Sequence, residues 1–303
     1  MEKKVSAVIT THNRLNDLKN AINSVLEQTY KNIELIVVDD NSDDETKEYM
    51  ENFAKENYNI KYIRISKDES KGGNYARNKG IDLSSGEYIA FLDDDDIWLP
   101  TKIEKQVKVI EKNKDIGLVY CGKYDKFDNG KKYKFKIDET YRGNLAQLCF
   151  QSIFCTTSEI LTRKSVLEGV GKFDINMKFW QEYDLTIRIC QKYLIDYVNE
   201  PLIIYSVSFN DKARLTNKLE KWEENLLIFE KKYKEIIDNL PVQIQENRKL
   251  MILRDRSTRQ YTSGRKKECK KTLKEIWKIT KNIKDFAHYI LNYPFSIKNK
   301  IGL

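Results

Sequence analysis

The acidic run Asp93-Asp94-Asp95-Asp96 carries the clearest chemistry in the sequence. Two adjacent carboxylates about 5 Å apart repel each other by roughly 3 kcal/mol at an effective dielectric constant near 20, so four together need protonation, full solvation or a cation. The run directly follows the apolar residues 88–92, which favours a cation over a solvated acidic turn. In an extended chain the side chains of Asp93 and Asp95 point the same way. Oxygen ligands of this kind suit Mg²⁺ or Mn²⁺.

A second pair of carboxylates, Asp39 and Asp40, also follows an apolar segment directly, and Thr10 follows the first apolar segment of the chain. In an open parallel sheet, ligands bind outside the carboxyl ends of the strands. We therefore expect Thr10, Asp40 and the acidic run to lie together at one edge of a sheet. A turn that caps the following helix is the alternative role for Asp39 and Asp40.

Strand and helix patterns alternate over the first part of the sequence. Short apolar or β-branched segments predict strands at residues 5–9, 33–38, 60–65, 88–92 and 116–120. Apolar residues at helical spacing predict helices between them, and Ser42 with Glu45 has the spacing of a capping box at the start of the second helix. This alternation predicts a mainly parallel sheet with helices on both faces.

The alternation ends after about Cys121. Asp128-Asn129-Gly130 predicts a hairpin turn, and strands are predicted at residues 153–162 and 202–207, with a helix at 182–193 between them. From about Thr216 onward the apolar residues have helical spacing. The sequence therefore predicts an α/β domain over residues 1–212 and a helical region over residues 213–303.

The two predicted regions differ in charge, although the whole chain has a formal net charge of +8. From Lys212 to the end there are 23 Lys and Arg residues against 11 Asp and Glu, while the preceding part has 31 against 35. The helical region is therefore basic and suits an acidic surface.

The sequence points to a reducing compartment. Its five cysteines are scattered without CxxC spacing, which also argues against a structural zinc site. No apolar segment approaches the roughly 20 residues of a membrane helix, and the N-terminal residues lack the apolar core of a signal peptide. We expect a cytoplasmic location, which includes the inner face of the cytoplasmic membrane.

Four blocks of the sequence resemble the motifs of family 2 glycosyltransferases of the GT-A fold. In order, they are AVITTHNR (residues 7–14), ELIVVDDNS (34–42), ARNKG (76–80) and GEYIAFLDDDD (86–96). A weaker block joins GKFD (171–174) to WQEYDLTIR (180–188). The resemblance covers about residues 5–205 and implies a Rossmann-like, mainly parallel sheet with helices on both faces. The C-terminal helical region lies outside the resemblance.

The resemblance implies a binding site for a nucleotide sugar. Asp40 would read the nucleobase edge, Thr10 would line the same pocket, and Arg77 would lie near the nucleotide or its phosphates. A carboxylate can accept the N3–H group of uracil, so we expect a UDP-sugar, with dTDP as the closest competitor because thymine offers the same group.

The resemblance also implies a metal site and a catalytic base. Asp93 and Asp95 match the DxD motif, in which Asp95 would bind Mn²⁺ or Mg²⁺ and Asp93 would lie near the ribose and the metal. Asp94 is also predicted to contact the nucleotide sugar. Glu182 stands where the family places its catalytic base, usually an aspartate, and Asp184 is the next candidate.

These roles form a coherent reaction. The cation would offset the charge on the departing diphosphate, and a carboxylate on the opposite face would take the proton of the attacking hydroxyl group. One displacement of this kind inverts the anomeric centre. We therefore expect an inverting, metal-dependent hexosyltransferase that acts on a glycan or lipid-linked acceptor in bacterial surface polysaccharide synthesis.

Two other functions compete with this interpretation. A sugar-phosphate nucleotidyltransferase also uses Mg²⁺, but a glycine-rich phosphate loop would normally follow its first strand, where this chain has TTHNR. A nucleic-acid-binding or scaffold protein would use basic residues of the helical region, namely Arg265-Lys266-Lys267 and Lys270-Lys271. Aromatic residues are sparse among those charges, so no nucleic-acid partner is expected.

The end of the helical region suggests a further contact. Lys281, Lys284, Lys298 and Lys300 border an apolar and aromatic cluster, which comprises Phe286, Tyr289, Ile290, Leu291, Tyr293, Pro294, Phe295 and Ile297. Such a cluster suits the interface of an anionic membrane. Packing on the catalytic domain, or on a second copy in a homo-oligomer, is the alternative.

Overall fold

The computed structural model of the chain describes residues 2–208 and 219–294. The chain divides into two compact units: Met1–Cys149 with Phe154–Val207, and Phe150–Ile153 with Ser208–Leu303. The boundary predicted between residues 212 and 213 lies outside the described residues. The first unit contains the alternating strands and helices, and the second contains the helices that begin at Leu219.

Nine strands of the described chain form one sheet in the first unit. They are β1 (Val5–Thr11), β2 (Ile33–Asp39), β3 (Ile60–Arg64), β4 (Tyr88–Asp93), β5 (Ile97–Trp98), β6 (Ile116–Phe127), β7 (Lys132–Phe135), β8 (Leu161–Arg163) and β9 (Leu194–Val207). Their order across the sheet is β3-β2-β1-β4-β8-β6-β9-β5, and β7 pairs with β6.

The sheet is mixed and mostly parallel. Strands β3, β2, β1 and β4 run parallel to one another, and β6 runs parallel to β9. Strand β8 joins the two groups because it pairs antiparallel with both β4 and β6. Strands β1 and β2 are buried on both faces, as their uninterrupted apolar sequences predict. The α/β architecture expected from the sequence is confirmed.

Helices of the first unit pack on both faces of this sheet. They are α1 (Leu15–Leu26), α2 (Thr46–Glu56), α3 (Gly73–Leu83), α4 (Lys102–Ile110), α5 (Lys164–Val170) and α6 (Gln181–Cys190). On one face, Leu18 of α1 and Ile103 of α4 join Ile9 of β1 in a buried core. On the other face, Gly80 of α3 lies directly against Val8 of β1. Successive residues of one strand thus supply both packing surfaces.

The predicted hairpin is confirmed, but the predicted strand at residues 153–162 is wrong. Strands β6 and β7 pair antiparallel around Gly130, whose φ of +78° suits glycine. Within 153–162, a short 3₁₀ helix over Thr157–Glu159 precedes β8, which begins only at Leu161. The Glu159 carboxylate accepts hydrogen bonds from the backbone and hydroxyl groups of Thr156, and this capping box turns the chain.

The capping box predicted for Ser42 and Glu45 is also wrong. Helix α2 begins at Thr46, whose backbone N–H donates to the Asp44 side chain at 3.1 Å, and the N-cap residue Glu45 makes no side-chain capping bond. The Ser42 hydroxyl group instead accepts a hydrogen bond of 2.9 Å from the backbone N–H of Asn13, in the loop after β1. A contact between two loops, which the local spacing does not encode, has taken the place of the local cap.

The second unit is helical, as expected. Its helices are α7 (Leu219–Lys232), α8 (Lys234–Asp238), α9 (Val242–Thr262), α10 (Lys266–Thr280) and α11 (Ile283–Leu291). Leu253 of α9 packs with Cys269, Leu273 and Ile276 of α10 in a small buried core. None of the described helices combines the length and the apolar composition needed to cross a bilayer.

The close approach of α3 to the sheet gives a first prediction. A Cβ atom at Gly80 would stand 2.3 Å from Val8 Cγ1, so Gly80→Ala must displace the helix or the strand. We expect a loss of about 1–3 kcal/mol in the free energy of unfolding, measured by urea denaturation. At Gly169 of α5 the nearest atom to a Cβ, the Tyr193 hydroxyl oxygen, is 3.5 Å away, so Gly169→Ala is a matched control expected to be neutral or slightly stabilising. Equal effects of the two substitutions would contradict the importance of this close packing.

Candidate active site

The ends of β1, β2 and β4 bring three predicted site residues to one edge of the sheet, the carboxyl edge, formed by residues 10–14, 39–44 and 93–96. In the parallel register, Thr10 of β1 lies beside Asp93 of β4 on one side and Val38 of β2 on the other. The backbone N–H of Asp40 donates to Thr11 O at 2.9 Å, so Asp40 lies at the same edge. The sequence correctly placed these residues together because parallel strands end at a common edge.

The acidic run is not extended beyond Asp93, contrary to the simplest expectation. Strand β4 ends there, and the backbone N–H of Asp96 donates back to Asp93 O at 3.1 Å, which closes a turn. The side chains nevertheless alternate in exposure. Those of Asp93 and Asp95 are 30% and 20% exposed, whereas Asp94 and Asp96 are buried. The turn therefore presents two of the four carboxylates outward.

The buried aspartates are held by hydrogen bonds from distant parts of the chain. Asp94 accepts from the Thr11 hydroxyl group at 2.8 Å and from Arg14 at 3.2 Å. Asp96 accepts from the Ser158 hydroxyl group at 2.6 Å and from the backbone N–H of Ser206 at 2.9 Å. Burial raises the pKa of Asp94 to about 6 and that of Asp96 well above its usual value. Both carboxyl groups are therefore engaged in fixing the turn.

Two arginines face the outward pair. Arg77 of α3 donates to Asp93 at 2.6 Å, and Arg14 lies 3.3 Å from Asp95. Arg77 also donates, at 2.9 Å, to the side chain of Gln181, which is the first residue of α6. This buried guanidinium group thus connects the end of β4, helix α3 and the start of α6.

Glu182 is the second residue of α6, and its half-buried carboxyl group lies within electrostatic range of Asp93 and Arg77. Burial raises the pKa of Glu182 above its usual value, and Asp93 raises it further, while Arg77 and Lys123 lower it. Asp184, two residues later, is fully buried and accepts from Arg188 at 2.7 and 3.0 Å. Glu182 is therefore the better placed of the two candidate bases.

The two aspartates at the end of β2, Asp39 and Asp40, differ in their hydrogen-bond partners. Asp39 is fully buried and accepts hydrogen bonds from the backbone N–H of Ser42 at 2.7 Å and from the Tyr62 hydroxyl group at 2.8 Å. The Oδ1 atom of Asp40 is also buried, but it has no hydrogen-bond partner among the described residues. A buried acceptor left unpaired costs free energy, so such an atom marks a position where a ligand can donate.

The outward carboxylates Asp93 and Asp95 are too few to hold a divalent cation by themselves, but they suit one that a substrate also binds. Within residues 2–208 and 219–294, no group of three or more His, Cys, Asp or Glu side chains is arranged to hold a metal ion by itself. Mg²⁺ in phosphoryl-handling sites is bound by one or two carboxylates together with substrate phosphates. Asp93 and Asp95 supply that number, so the donor set fits a cation whose coordination a diphosphate completes.

Three residues of this arrangement had no role assigned from the sequence. Arg14 stands inside a recognised block, four residues after Thr10, so its spacing offered a signal. Gln181 directly precedes Glu182, but nothing in the local pattern connects it to Arg77. Ser158 bonds to Asp96 from 62 residues away along the chain, and no local pattern could have found it.

Comparison with known proteins decides the family. The sequence model described as Glycosyl transferase family 2 matches residues 6–171, more than half of the chain. The chain belongs to glycosyltransferase family 2. This glycosyltransferase is 34% identical over 233 residues to an uncharacterized glycosyltransferase of Rickettsia prowazekii, a match that covers 73% of the chain and 69% of the relative. Membership favours the glycosyltransferase interpretation over the nucleotidyltransferase and the nucleic-acid-binding protein.

A shorter match is to WfgD of Escherichia coli, a UDP-Glc:alpha-D-GlcNAc-diphosphoundecaprenol beta-1,3-glucosyltransferase. The two are 37% identical over 125 residues, which is 41% of this glycosyltransferase and 47% of WfgD.

Solved structures of low sequence identity show the same fold. Residues 1–349 of S. aureus TarS, in complex with UDP-GlcNAc, match with a TM-score of 0.62 at 17% identity, over 98% of this chain and 83% of that one. The chain spans 49% of the longer TarS structure. A mannosyltransferase from Pyrobaculum calidifontis, in complex with GDP-Man and Mn²⁺, matches with a TM-score of 0.54 at 17% identity. This match covers 74% of this chain and 65% of the mannosyltransferase. The GT-A fold implied by the sequence blocks is confirmed.

Proposed function

We propose that this glycosyltransferase moves a sugar from a UDP-linked donor to a hydroxyl group of a glycan or lipid-linked acceptor, with inversion at the anomeric carbon. The observation that carries the proposal is the division of the acidic run, in which Asp94 and Asp96 fix the turn while Asp93 and Asp95 face outward. Mn²⁺ or Mg²⁺ held by Asp95 and Asp93 would neutralise the charge of the leaving diphosphate. Asp94 then acts by positioning its neighbours.

Asp40 is the proposed contact to the nucleobase. Its unpaired, buried Oδ1 can accept the N3–H group of uracil, and Thr10 lies at the same edge of the sheet. Arg77, which bonds to Asp93, is the proposed contact to the phosphates. The nucleotide sugars in the TarS and Pyrobaculum complexes support a donor of this class, and the unpaired carboxylate oxygen favours uridine.

Glu182 is the proposed catalytic base. The acceptor oxygen attacks the anomeric carbon, Glu182 takes the proton of that hydroxyl group, and the bonding electrons of the departing C–O bond move to the diphosphate oxygen. A raised pKa makes Glu182 a better proton acceptor than an exposed carboxylate. The arginine-bound Asp184 is less suited to this role.

The acceptor is proposed to be a glycan or a lipid-linked sugar in the assembly of a bacterial surface polysaccharide. The name of WfgD includes a diphosphoundecaprenol-linked acceptor, which supports the lipid-linked choice. We assign residues 1–212 to catalysis and the basic residues 213–303 to contact with the acceptor, a second copy or a membrane. For this activity we propose a cytoplasmic location, which includes the inner face of the cytoplasmic membrane.

The metal site is tested by Asp95→Asn. We expect this variant to lose transfer and to lose the additional thermal stabilisation that Mn²⁺ gives in the presence of UDP, because a ligand of the native state raises its stability by mass action. Asp115→Asn removes an exposed carboxylate elsewhere and should behave like the wild type. EDTA should abolish sugar transfer by the wild-type enzyme. Full turnover in EDTA would refute metal dependence.

The nucleobase contact is tested by Asp40→Ala. Loss of a hydrogen bond to a charged group should weaken UDP binding by about 1.5–3 kcal/mol in calorimetric titration. Urea denaturation should show unchanged or increased stability, since the buried oxygen that is removed has no partner within the described chain. Asp39→Ala should instead lower stability, because Ser42 and Tyr62 lose their acceptor. Equal UDP affinities of Asp40→Ala and the wild type would exclude the assignment.

The base is tested by Glu182→Gln, which keeps the shape and removes the proton acceptor. We expect kcat to fall by about 10²- to 10⁴-fold while donor binding stays nearly intact. The wild-type kcat should fall as the pH drops through the pKa of Glu182, which burial places above the ordinary 4.5, and this acid limb should be absent from the variant. NMR should show that the sugar in the product has the anomeric configuration opposite to that in the donor. A normal kcat for Glu182→Gln would mean that the base lies elsewhere.

A further inference from the structure

Helix α11 buries two polar side chains and leaves its aliphatic side chains Ile283, Ile290 and Leu291 outward, while Tyr289 packs against the core between α9 and α10. Asp285 and His288 are buried: Asp285 lies 3.5 Å from Arg254 of α9, and His288 Nδ1 lies 2.8 Å from Tyr293 O. The outward residues Ile283, Ile290 and Leu291 are 81%, 55% and 73% exposed. Apolar side chains clustered in water are unfavourable, so this orientation points to a surface that another apolar phase covers.

Aromatic side chains extend this surface onto α10. Phe286, also exposed, has its ring centroid 5.0 Å from that of Trp277, and Tyr289 stacks on Trp277 with an interplanar angle of 2°. Lys281 Nζ lies 5.8 Å from the Trp277 ring, and Lys270 Nζ lies 5.7 Å from the Tyr289 ring. Aromatic rings with lysine amines beside them are typical of the boundary between lipid and water.

The charge around this surface is strongly positive. Residues 266–291 include eight lysines and only three acidic residues, Glu268, Glu275 and Asp285. Each of the three lies near a basic side chain: Glu268 near Arg265, Glu275 near Lys249 and Asp285 near Arg254. A partner of complementary chemistry is therefore apolar and anionic at the same time.

We propose that the apolar face of α11, formed by Ile283, Phe286, Ile290 and Leu291, docks on the surface of an anionic lipid bilayer. At 1.5 Å per residue the helix is about 14 Å long, so it would lie in the interface among the head groups while the lysines meet lipid phosphates. Phe295 and Ile297, which the sequence adds to the same cluster, lie outside the described residues.

A second copy of the chain fits this face less well. In a two-fold symmetric contact the same patch meets itself, so the lysines that border α11 would face the same lysines of the other copy. Like charges brought together in this way oppose association. The bilayer offers the opposite charge together with an apolar interior.

The test is co-sedimentation of the full-length protein with vesicles that contain no acceptor or donor, so its result does not depend on the proposed reaction. Vesicles of phosphatidylcholine alone are compared with equal parts phosphatidylcholine and phosphatidylglycerol, at low and high salt. The double variant Ile283→Ser/Ile290→Ser removes two aliphatic groups from the proposed surface. The matched control Leu227→Ser/Val242→Ser removes two equally exposed aliphatic groups from α7 and α9 of the same unit.

We expect wild-type protein to bind the phosphatidylglycerol vesicles, to bind phosphatidylcholine weakly, and to be released by high salt. The variant at 283 and 290 should bind at least tenfold more weakly, whereas the control binds like the wild type. Lys281→Gln/Lys284→Gln should weaken binding by roughly 20- to 30-fold, since each lysine near the surface contributes about fivefold. Because the substituted side chains are exposed, circular dichroism and urea denaturation should match the wild type.

Three results would overturn the proposal. The first is equal vesicle binding by the wild type and by Ile283→Ser/Ile290→Ser. The second is equal binding to both kinds of vesicle. The third is an absence of vesicle binding combined with a dimer, seen by sedimentation equilibrium, that the same double variant dissociates, which would assign the face to a second copy. Loss of transfer with normal vesicle binding would count against the proposed reaction alone.

Discussion

The repulsion among four consecutive carboxylates is the constraint on which the candidate site depends. The chain meets it by a turn that separates the four groups in space. Asp94 and Asp96 are drawn inward, where hydroxyl and backbone donors hold them at 2.6–2.9 Å. Asp93 and Asp95 are left outward, each beside an arginine. The buried pair therefore fixes the geometry of the outward pair. Within the four consecutive residues, Asp94 and Asp96 hold the turn, and Asp93 and Asp95 remain available for the proposed chemistry.

The same division occurs after β2, where Asp39 accepts two hydrogen bonds and the buried Oδ1 of Asp40 has no partner within the part of the chain that the structure describes. Arg77 of α3 connects Asp93, one of the two outward carboxylates, to the start of α6. Glycine at position 80 lets the same helix lie directly on β1, so the position of the proposed base is linked to the packing of α3 on the sheet.

In the second unit, the apolar side chains are divided between a small buried core and an exposed face of α11. The small core of Leu253, Cys269, Leu273 and Ile276 joins α9 and α10, and Tyr289 of α11 packs against it. The polar Asp285 and His288 of α11 are buried, while its aliphatic residues Ile283, Ile290 and Leu291 stay exposed. An ordinary surface helix would face the other way. The high lysine content of α10 and α11 opposes pairing of two such surfaces and favours the anionic lipid partner that we propose.

The sequence by itself determined strands β1, β2, β3, β4 and β6, the α/β order and the meeting of Thr10, Asp40 and Asp93 at one edge, because apolar periodicity is local and parallel strands share a common end. The four motif blocks were enough for the family. The tertiary structure alone decided which carboxylates are outward, since their partners Ser158 and Ser206 are distant in the chain. The tertiary structure also decided that Ser42 contacts the loop after β1 and does not cap α2. It further decided that the aliphatic side chains of α11 are exposed. Each of these outcomes is a competition between local preference and a remote partner, and the remote partner is not encoded in the local pattern.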